Sequence, residues 1–93
     1  PIRLGRDPQT HVSFPEDKRI SKQHGCIVWD VAYQAFRYIH MGHNPSRVDG
    51  VTLDNRNGLG SILKNGSIIC VSDHQISVQI KRGSGGGDDD GAD

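Results

Sequence analysis

Gln75-Ile76-Ser77-Val78-Gln79-Ile80-Lys81 alternates polar and apolar side chains without a break. Successive side chains of a β-strand point to opposite faces, so a period of two marks a half-buried strand with Ile76, Val78 and Ile80 turned inward. A surface helix would repeat its apolar residues every three to four positions, and no useful length of this chain does so. Toward the N-terminus, Asn65-Gly66 is a turn signal ahead of Ile68-Ile69-Cys70-Val71, and Asn57-Gly58 is another in the loop of residues 54–60. Val48-Asp49-Gly50-Val51 sets Asp-Gly between β-branched residues, a hairpin signal because both turn residues must tolerate positive φ. Residues 35–41, aromatic and branched, read as a strand partnered through a turn at 30–34 with Cys26-Ile27-Val28-Trp29. That apolar run is consistent with burial on both faces, which places Trp29 in the core. Ile2-Arg3-Leu4 is a short strand ended by Gly5, Asp7-Pro8 is a turn, and residues 11–14 form a brief strand before Pro15. Many short strands with turns between them predict an all-β fold, an antiparallel β-sandwich of two twisted sheets.

The chain has 93 residues, of which 33% are apolar. That is enough for one thin core and one domain, residues 1–82. Residues 83–93 hold no large apolar side chain and read as a flexible Gly/Asp-rich tail. Net charge is zero only in sum. All eleven Lys and Arg precede residue 83 with seven acids, a net of +4, and the tail carries four Asp. A mildly basic body suits an anionic ligand but is too weakly charged to argue for nucleic acid. No apolar run reaches membrane-spanning length. Without a visible signal peptide, and with Cys26 and Cys70 too few for a disulfide framework, the expected compartment is intracellular, cytoplasmic or nuclear. The absent initiator Met suggests a fragment or processed chain, so other domains of a longer parent protein are expected.

Chemistry concentrates in Arg19-Ile20-Ser21-Lys22-Gln23-His24, which packs two cations, a hydroxyl and an imidazole into six residues. Gly5-Arg6 lies upstream; His43-Asn44 and Arg47 lie downstream in the loop of residues 42–47. Fixed cations and a hydroxyl on loops suit an oxyanion better than bond breaking, and no nucleophile has a recognisable catalytic partner. No catalytic residue and no cofactor is therefore expected. His40 and His43 form His-x-x-His, but no Cys or carboxylate stands at ligand spacing, so no metal site is expected. Asn65-Gly66-Ser67 fits a glycosylation sequon and is read as a hairpin turn instead.

Gly5-Arg6, then Ser21-Lys22-Gln23-His24, then Asn44 with Asp49-Gly50 beyond it, together with Leu63-Lys64-Asn65-Gly66-Ser67-Ile68, resemble the forkhead-associated (FHA) family over residues 2–82. The resemblance implies a sandwich that binds phosphothreonine peptides through loops at one end. By position it implies that Arg6, Ser21 and Lys22 hold the phosphate. Asn44 would bond the peptide main chain, and Gly5 and His24 would brace the loop. Apart from the resemblance, His43 and Arg47, in the loop beside Asn44, are expected to choose a residue downstream of the phosphothreonine. A phosphothreonine-containing protein is the implied partner, with no direct nucleic-acid or membrane partner. The chemistry agrees: a phosphate carries nearly two negative charges and three strong acceptors, matched by a guanidinium fork, an ammonium and a hydroxyl.

Three departures from the family pattern have structural consequences. Pro45-Ser46 stands in place of Gly-Thr, and Pro fixes φ and lacks an N–H. Ser67 replaces an acid in the late turn. About two strands usually precede Gly-Arg, whereas four residues precede Gly5 here; a sandwich without them exposes a sheet edge. Those strands come from elsewhere, lie outside this fragment, or are trimmed. Pro45 and the missing strands favour an alternative: an FHA-like assembly domain with a degenerate site and phospho-independent contacts. A further expectation is that Asp88, Asp89 and Asp90 compete weakly for the basic site.

Overall fold

The computed structural model of the chain describes residues 1–56, 58 and 60–81. Nine strands follow one another: β1 (Ile2–Gly5), β2 (Val12–Ser13), β3 (Gly25–Asp30), β4 (Ala35–His40), β5 (Ser46–Val48), β6 (Val51–Leu53), β7 (Gly60–Ile62), β8 (Ile68–Val71) and β9 (His74–Ser77). They form a five-stranded sheet in the order β2-β1-β3-β4-β7 and a four-stranded sheet in the order β6-β5-β8-β9. The expected all-β sandwich of two sheets is what the chain adopts. Pairing is antiparallel except between β1 and β2, which run parallel with Leu4 opposite Val12. The sheets meet over Leu4, Ile20, Tyr38, Val48, Leu53, Leu63, Ile69 and Val71, each 3% exposed or less.

The turns follow local chemistry. Val48 pairs with Val51 across Asp49 and Gly50, whose φ angles are 51° and 83°, as a two-residue hairpin with both central residues left-handed requires. Gly66 is also left-handed, at φ 92°. The turn at Asn65-Gly66 is not a hairpin, however. It carries the chain from β7 in one sheet to β8 in the other, closed by Ser67 N–H donating to the Lys64 carbonyl (3.0 Å). Gly58 is described, with φ 107°, and Asn57 lies outside the described residues.

Asp49 ties the two turns together. It accepts hydrogen bonds from Ile68 N–H and from the Ser67 hydroxyl, both 2.9 Å. These bonds, the Ile68 one first, hold its carboxyl below the ordinary 3.8. A carboxyl depressed in the folded state supports folding above its unfolded value, and that support is lost as pH falls through the folded one. Asp49→Asn is therefore expected to lower stability at pH 7, with the gap to the parent narrowing as pH drops below ~4. Urea unfolding at pH 7 and pH 3 measures this, and a gap that does not narrow would count against it.

The alternation in residues 75–81 is realised in burial: Ile76, Val78 and Ile80 are half-buried while Gln75, Ser77, Gln79 and Lys81 are exposed. Assigned strand stops at Ser77, but Val78 N–H still donates to the Ser67 carbonyl (2.8 Å) and Ile80 N–H to Asn65 Oδ1 (3.0 Å). β9 is an edge strand of the smaller sheet. Two sequence expectations are corrected. β3 is not buried on both faces, and Trp29 is 50% exposed rather than core, because nothing in the four-stranded sheet covers that end. Arg47 lies in β5 rather than a loop, paired with Thr52 and Cys70. The expected tail, residues 83–93, lies outside the described residues, as does the expected competition by its aspartates. No helix among the described residues is long and apolar enough to cross a membrane.

Candidate functional site

The end of β1 and the segment of residues 19–24 are joined main chain to main chain. Arg6 N–H donates to the Ser21 carbonyl (2.9 Å), Asp7 N–H to the Lys22 carbonyl (3.3 Å) and His24 N–H to the Leu4 carbonyl (2.9 Å). Gly5 makes this approach possible, since a Cβ there would meet the Lys22 carbonyl oxygen. The Arg6 side chain then folds over the segment and its Nε donates to the Ile20 carbonyl (2.9 Å).

The loop between β4 and β5 closes on the segment from the other side. His43 N–H donates to Ser21 Oγ (2.9 Å) and Asn44 Nδ2 donates to the Arg19 carbonyl (2.9 Å). Arg6, Ser21 and Asn44, which stand far apart in sequence, thus meet at one rim, with exposed Lys22 and His43 beside them. Ser21 Oγ accepts from His43, so its own proton remains to donate.

His24 is buried beneath Ser21 and its Nδ1 accepts Ser21 N–H (3.0 Å). Nδ1 is therefore unprotonated, an assignment made from the hydrogen-bond network. The ring packs against Gly42, where a Cβ would meet Nδ1, and edge-on to the His40 ring (5.4 Å). His40 Nδ1 and Tyr38 Oη both share the buried Ser46 Oγ at 2.8 Å. Burial pushes the Tyr38 phenol up to about 12. Ser46, the departure beside Pro45, is thus a core hydroxyl rather than a rim group. His40 and His43 do not converge, since one is buried and the other exposed. Among the described residues no cluster of His, Cys, Asp and Glu could hold a metal ion.

Burial lowers the pKa of His24 below 6.5, helped by the neighbouring His40, and burial likewise lowers that of His40. The sign follows. Above 6.5 neither state binds the proton; as pH falls through 6.5 the unfolded chain takes it up first, and the folded state loses ground. Protonating Nδ1 would also remove the acceptor that holds Ser21 N–H. Thermal stability is expected to fall between pH 7.5 and 5.5. Melting curves across that range test this, and a flat profile would exclude it.

Sequence reasoning did not find the ionic clamp behind the segment. Asp17 accepts Arg19 Nε (3.1 Å) and meets His74 Nε2 (3.0 Å), and Arg19 also reaches Asp73 (2.9 Å). The Arg19 guanidinium holds the Asp17 carboxyl well below the usual range, and Phe14 stacks on His74 at 4.1 Å. Arg19 is thereby tied to carboxylates of this chain. Gly42 was equally illegible, because the ring it accommodates lies 18 residues away in sequence. Arg47, expected beside Asn44, lines a shallow hollow on the four-stranded sheet with Pro45, Thr52, Cys70 and Asp73.

The family model of the FHA domain matches residues 2–82. No match is found among curated proteins. Solved structures similar to this chain include EmbR of Mycobacterium tuberculosis in complex with a low-affinity phosphopeptide. It has 22% identity and a TM-score of 0.71, over 88% of this chain and 20% of that one. The FHA-2 domain of the Mycobacterium tuberculosis ABC transporter Rv1747 has 17% identity and a TM-score of 0.67, over 83% and 65% respectively. A chain described in a structural and functional analysis of phosphothreonine-dependent FHA domain interactions has 22% identity and a TM-score of 0.66, over 86% and 76%. At these identities the likeness to solved structures is one of fold. The chain spans a fifth of the EmbR chain's length.

Proposed function

The chain belongs to the FHA domain family, and from that premise we propose that it is a non-enzymatic module that recognises phosphothreonine-containing peptides in intracellular signalling. The observation that carries this reading is the convergence of Arg6, Ser21 and Asn44 on the segment of residues 19–22. With Nε on the Ile20 carbonyl, the Arg6 guanidinium offers its Nη1 and Nη2 ends to the phosphate. Ser21 donates its hydroxyl proton and Lys22 adds a mobile point charge. Asn44, its Nδ2 committed to Arg19, accepts a peptide N–H through Oδ1 and so reads main chain rather than sequence. His43 contacts a residue downstream of the phosphothreonine, and Arg47, farther round on β5, one beyond it.

Each charge-assisted bond contributes on the order of 1.5–3 kcal/mol, offset by the cost of ordering a flexible peptide. The result is a modest, reversible affinity suited to signalling. The partner is a phosphorylated protein, met by a domain of a longer polypeptide, with no direct nucleic-acid or membrane ligand. Fluorescence anisotropy on one peptide library made with phosphothreonine, phosphoserine and threonine tests the proposal. Saturable binding of the phosphothreonine set alone is expected, and equal binding of the threonine set would defeat it.

A further inference from the structure

Three consecutive carbonyls, those of Arg19, Ile20 and Ser21, receive the rim groups. Asn44 Nδ2 donates to the first, Arg6 Nε to the second and Arg6 N–H to the third, each at 2.9 Å. Asn44 and Arg6 come from different loops, so the direction of these carbonyls decides where the carboxamide and the guanidinium point. Residues 14–24 lie between β2 and β3 and belong to no strand. Their path is set by local bonds.

Asp17 supplies most of those bonds. Its Oδ1 accepts Arg19 N–H (3.0 Å) and Arg19 Nε (3.1 Å). Its Oδ2 accepts Arg19 Nη2 (3.1 Å) and meets His74 Nε2 (3.0 Å). Its carbonyl accepts Ile20 N–H (3.1 Å). The side chain is only 11% exposed, and His74 belongs to β9 of the other sheet. A carboxylate that accepts the N–H two residues on is how Asp and Asn close a turn. Asp17 thereby sets the main chain at Arg19 and Ile20. A surface ion pair with Arg19 alone would contribute little and would not involve the Arg19 N–H. Nor can Asp17 serve a dianionic ligand by attraction, since its sign is wrong. Geometry is what it has to offer.

We propose that Asp17 is a positioning residue of the phosphopeptide site. By closing the turn of residues 17–20 it points the Arg19 and Ile20 carbonyls at Asn44 and Arg6, so that Asn44 Oδ1 and the Nη1 and Nη2 ends of Arg6 reach the ligand together. Asp17 touches no ligand itself. His74 ties the turn to β9, so the rim is held to both sheets. The proposal rests on the reading of the rim as a phosphothreonine site.

Two substitutions separate geometry from charge. Asp17→Asn keeps an oxygen for Arg19 N–H and loses the charge. Asp17→Glu keeps the charge and, one methylene longer, loses the turn-closing bond. Binding of a phosphothreonine peptide to the full chain is measured by calorimetry at a temperature where every variant is folded. Asp17→Asn is expected to bind within about threefold of the parent and Asp17→Glu about tenfold more weakly, the size of a coupling between contacting groups. In an Asn44→Ala background the Glu effect should shrink to about threefold, because the carboxamide to be aimed is gone; in a Lys22→Ala background it should stay at about tenfold. In the ligand-free protein, the Asn44 side-chain amide and Arg6 Nε–H resonances are expected to move in Asp17→Glu and to stay in place in Asp17→Asn. Should Asp17→Glu not fold, Asp17→Ala, which also lacks the turn-closing oxygen, takes its place with the same expectations. Equal losses in the two variants, a greater loss in Asp17→Asn, a Glu effect undiminished by Asn44→Ala, or unmoved resonances in Asp17→Glu would each overturn the proposal. A parent that binds no phosphothreonine peptide would defeat the functional reading instead, and the resonances would still decide whether Asp17 holds the rim.

Discussion

Arg6→Ala is expected to weaken binding of a phosphothreonine peptide about 10- to 150-fold, the equivalent of one charge-assisted interaction of 1.5–3 kcal/mol. The side chain is half-buried, and its contact with the Ile20 carbonyl orients the fork rather than holding up the core. The free protein's melting temperature is therefore expected to move by only a few degrees. Arg6→Lys should fall between the two. It keeps the charge but loses the planar pair of donors that suits phosphate oxygens, and it loses the Nε bond that aims them. Calorimetric titration with matched phosphorylated and unphosphorylated peptides resolves the series. If Arg6→Ala bound within twofold of the parent, the phosphate would sit somewhere else.

Gly5→Ala should damage stability and binding together. Its new Cβ would meet the carbonyl of Lys22, which is backbone and cannot swing away as a side chain could. Either β1 or the segment of residues 19–24 must shift, and each carries a binding group, Arg6 on one and Ser21 on the other. Overpacking against fixed main chain costs at least about 2 kcal/mol, or about 10 °C in a domain of this size. Binding should fail even at temperatures where the variant remains folded, because the main-chain bonds from Arg6 and His24 set the spacing of the rim. Gly66→Ala is the control. Nothing stands near its Cβ, so it strains only a turn at φ 92° remote from the rim. Should the two variants melt and bind alike, the close approach at Gly5 would not be what spaces the rim.

Much of the fold was legible because strands announce themselves locally. Alternation in residues 75–81 and the Asp49-Gly50 hairpin each depend on side chains within a few positions. What misled was inference across sheets. Cys26-Ile27-Val28-Trp29 is apolar enough for burial on both faces, yet burial depends on a covering layer that residues 25–30 do not encode. Asn65-Gly66 has the chemistry of a hairpin turn, but whether the strands on either side pair with each other is settled by the topology of both sheets. The parallel pairing of β1 with β2 had no local signal at all.

The candidate site divides the same way. Residue types and their order nominated Arg6, Ser21, Lys22, His24, His43 and Asn44 as candidates, most of them through the resemblance to the FHA family, and fixed cations, hydroxyls and amides on loops suit a phosphate. Folding decided which of them share a rim. It placed Arg47 on a strand, tied Arg19 to Asp17 and Asp73, set Gly42 against the His24 ring and left β9 at a sheet edge. A side chain's chemistry is a property of the residue, so sequence carries it. Proximity between residues 6, 21 and 44 is a property of how two sheets stack, and it exists only once the core has closed beneath them.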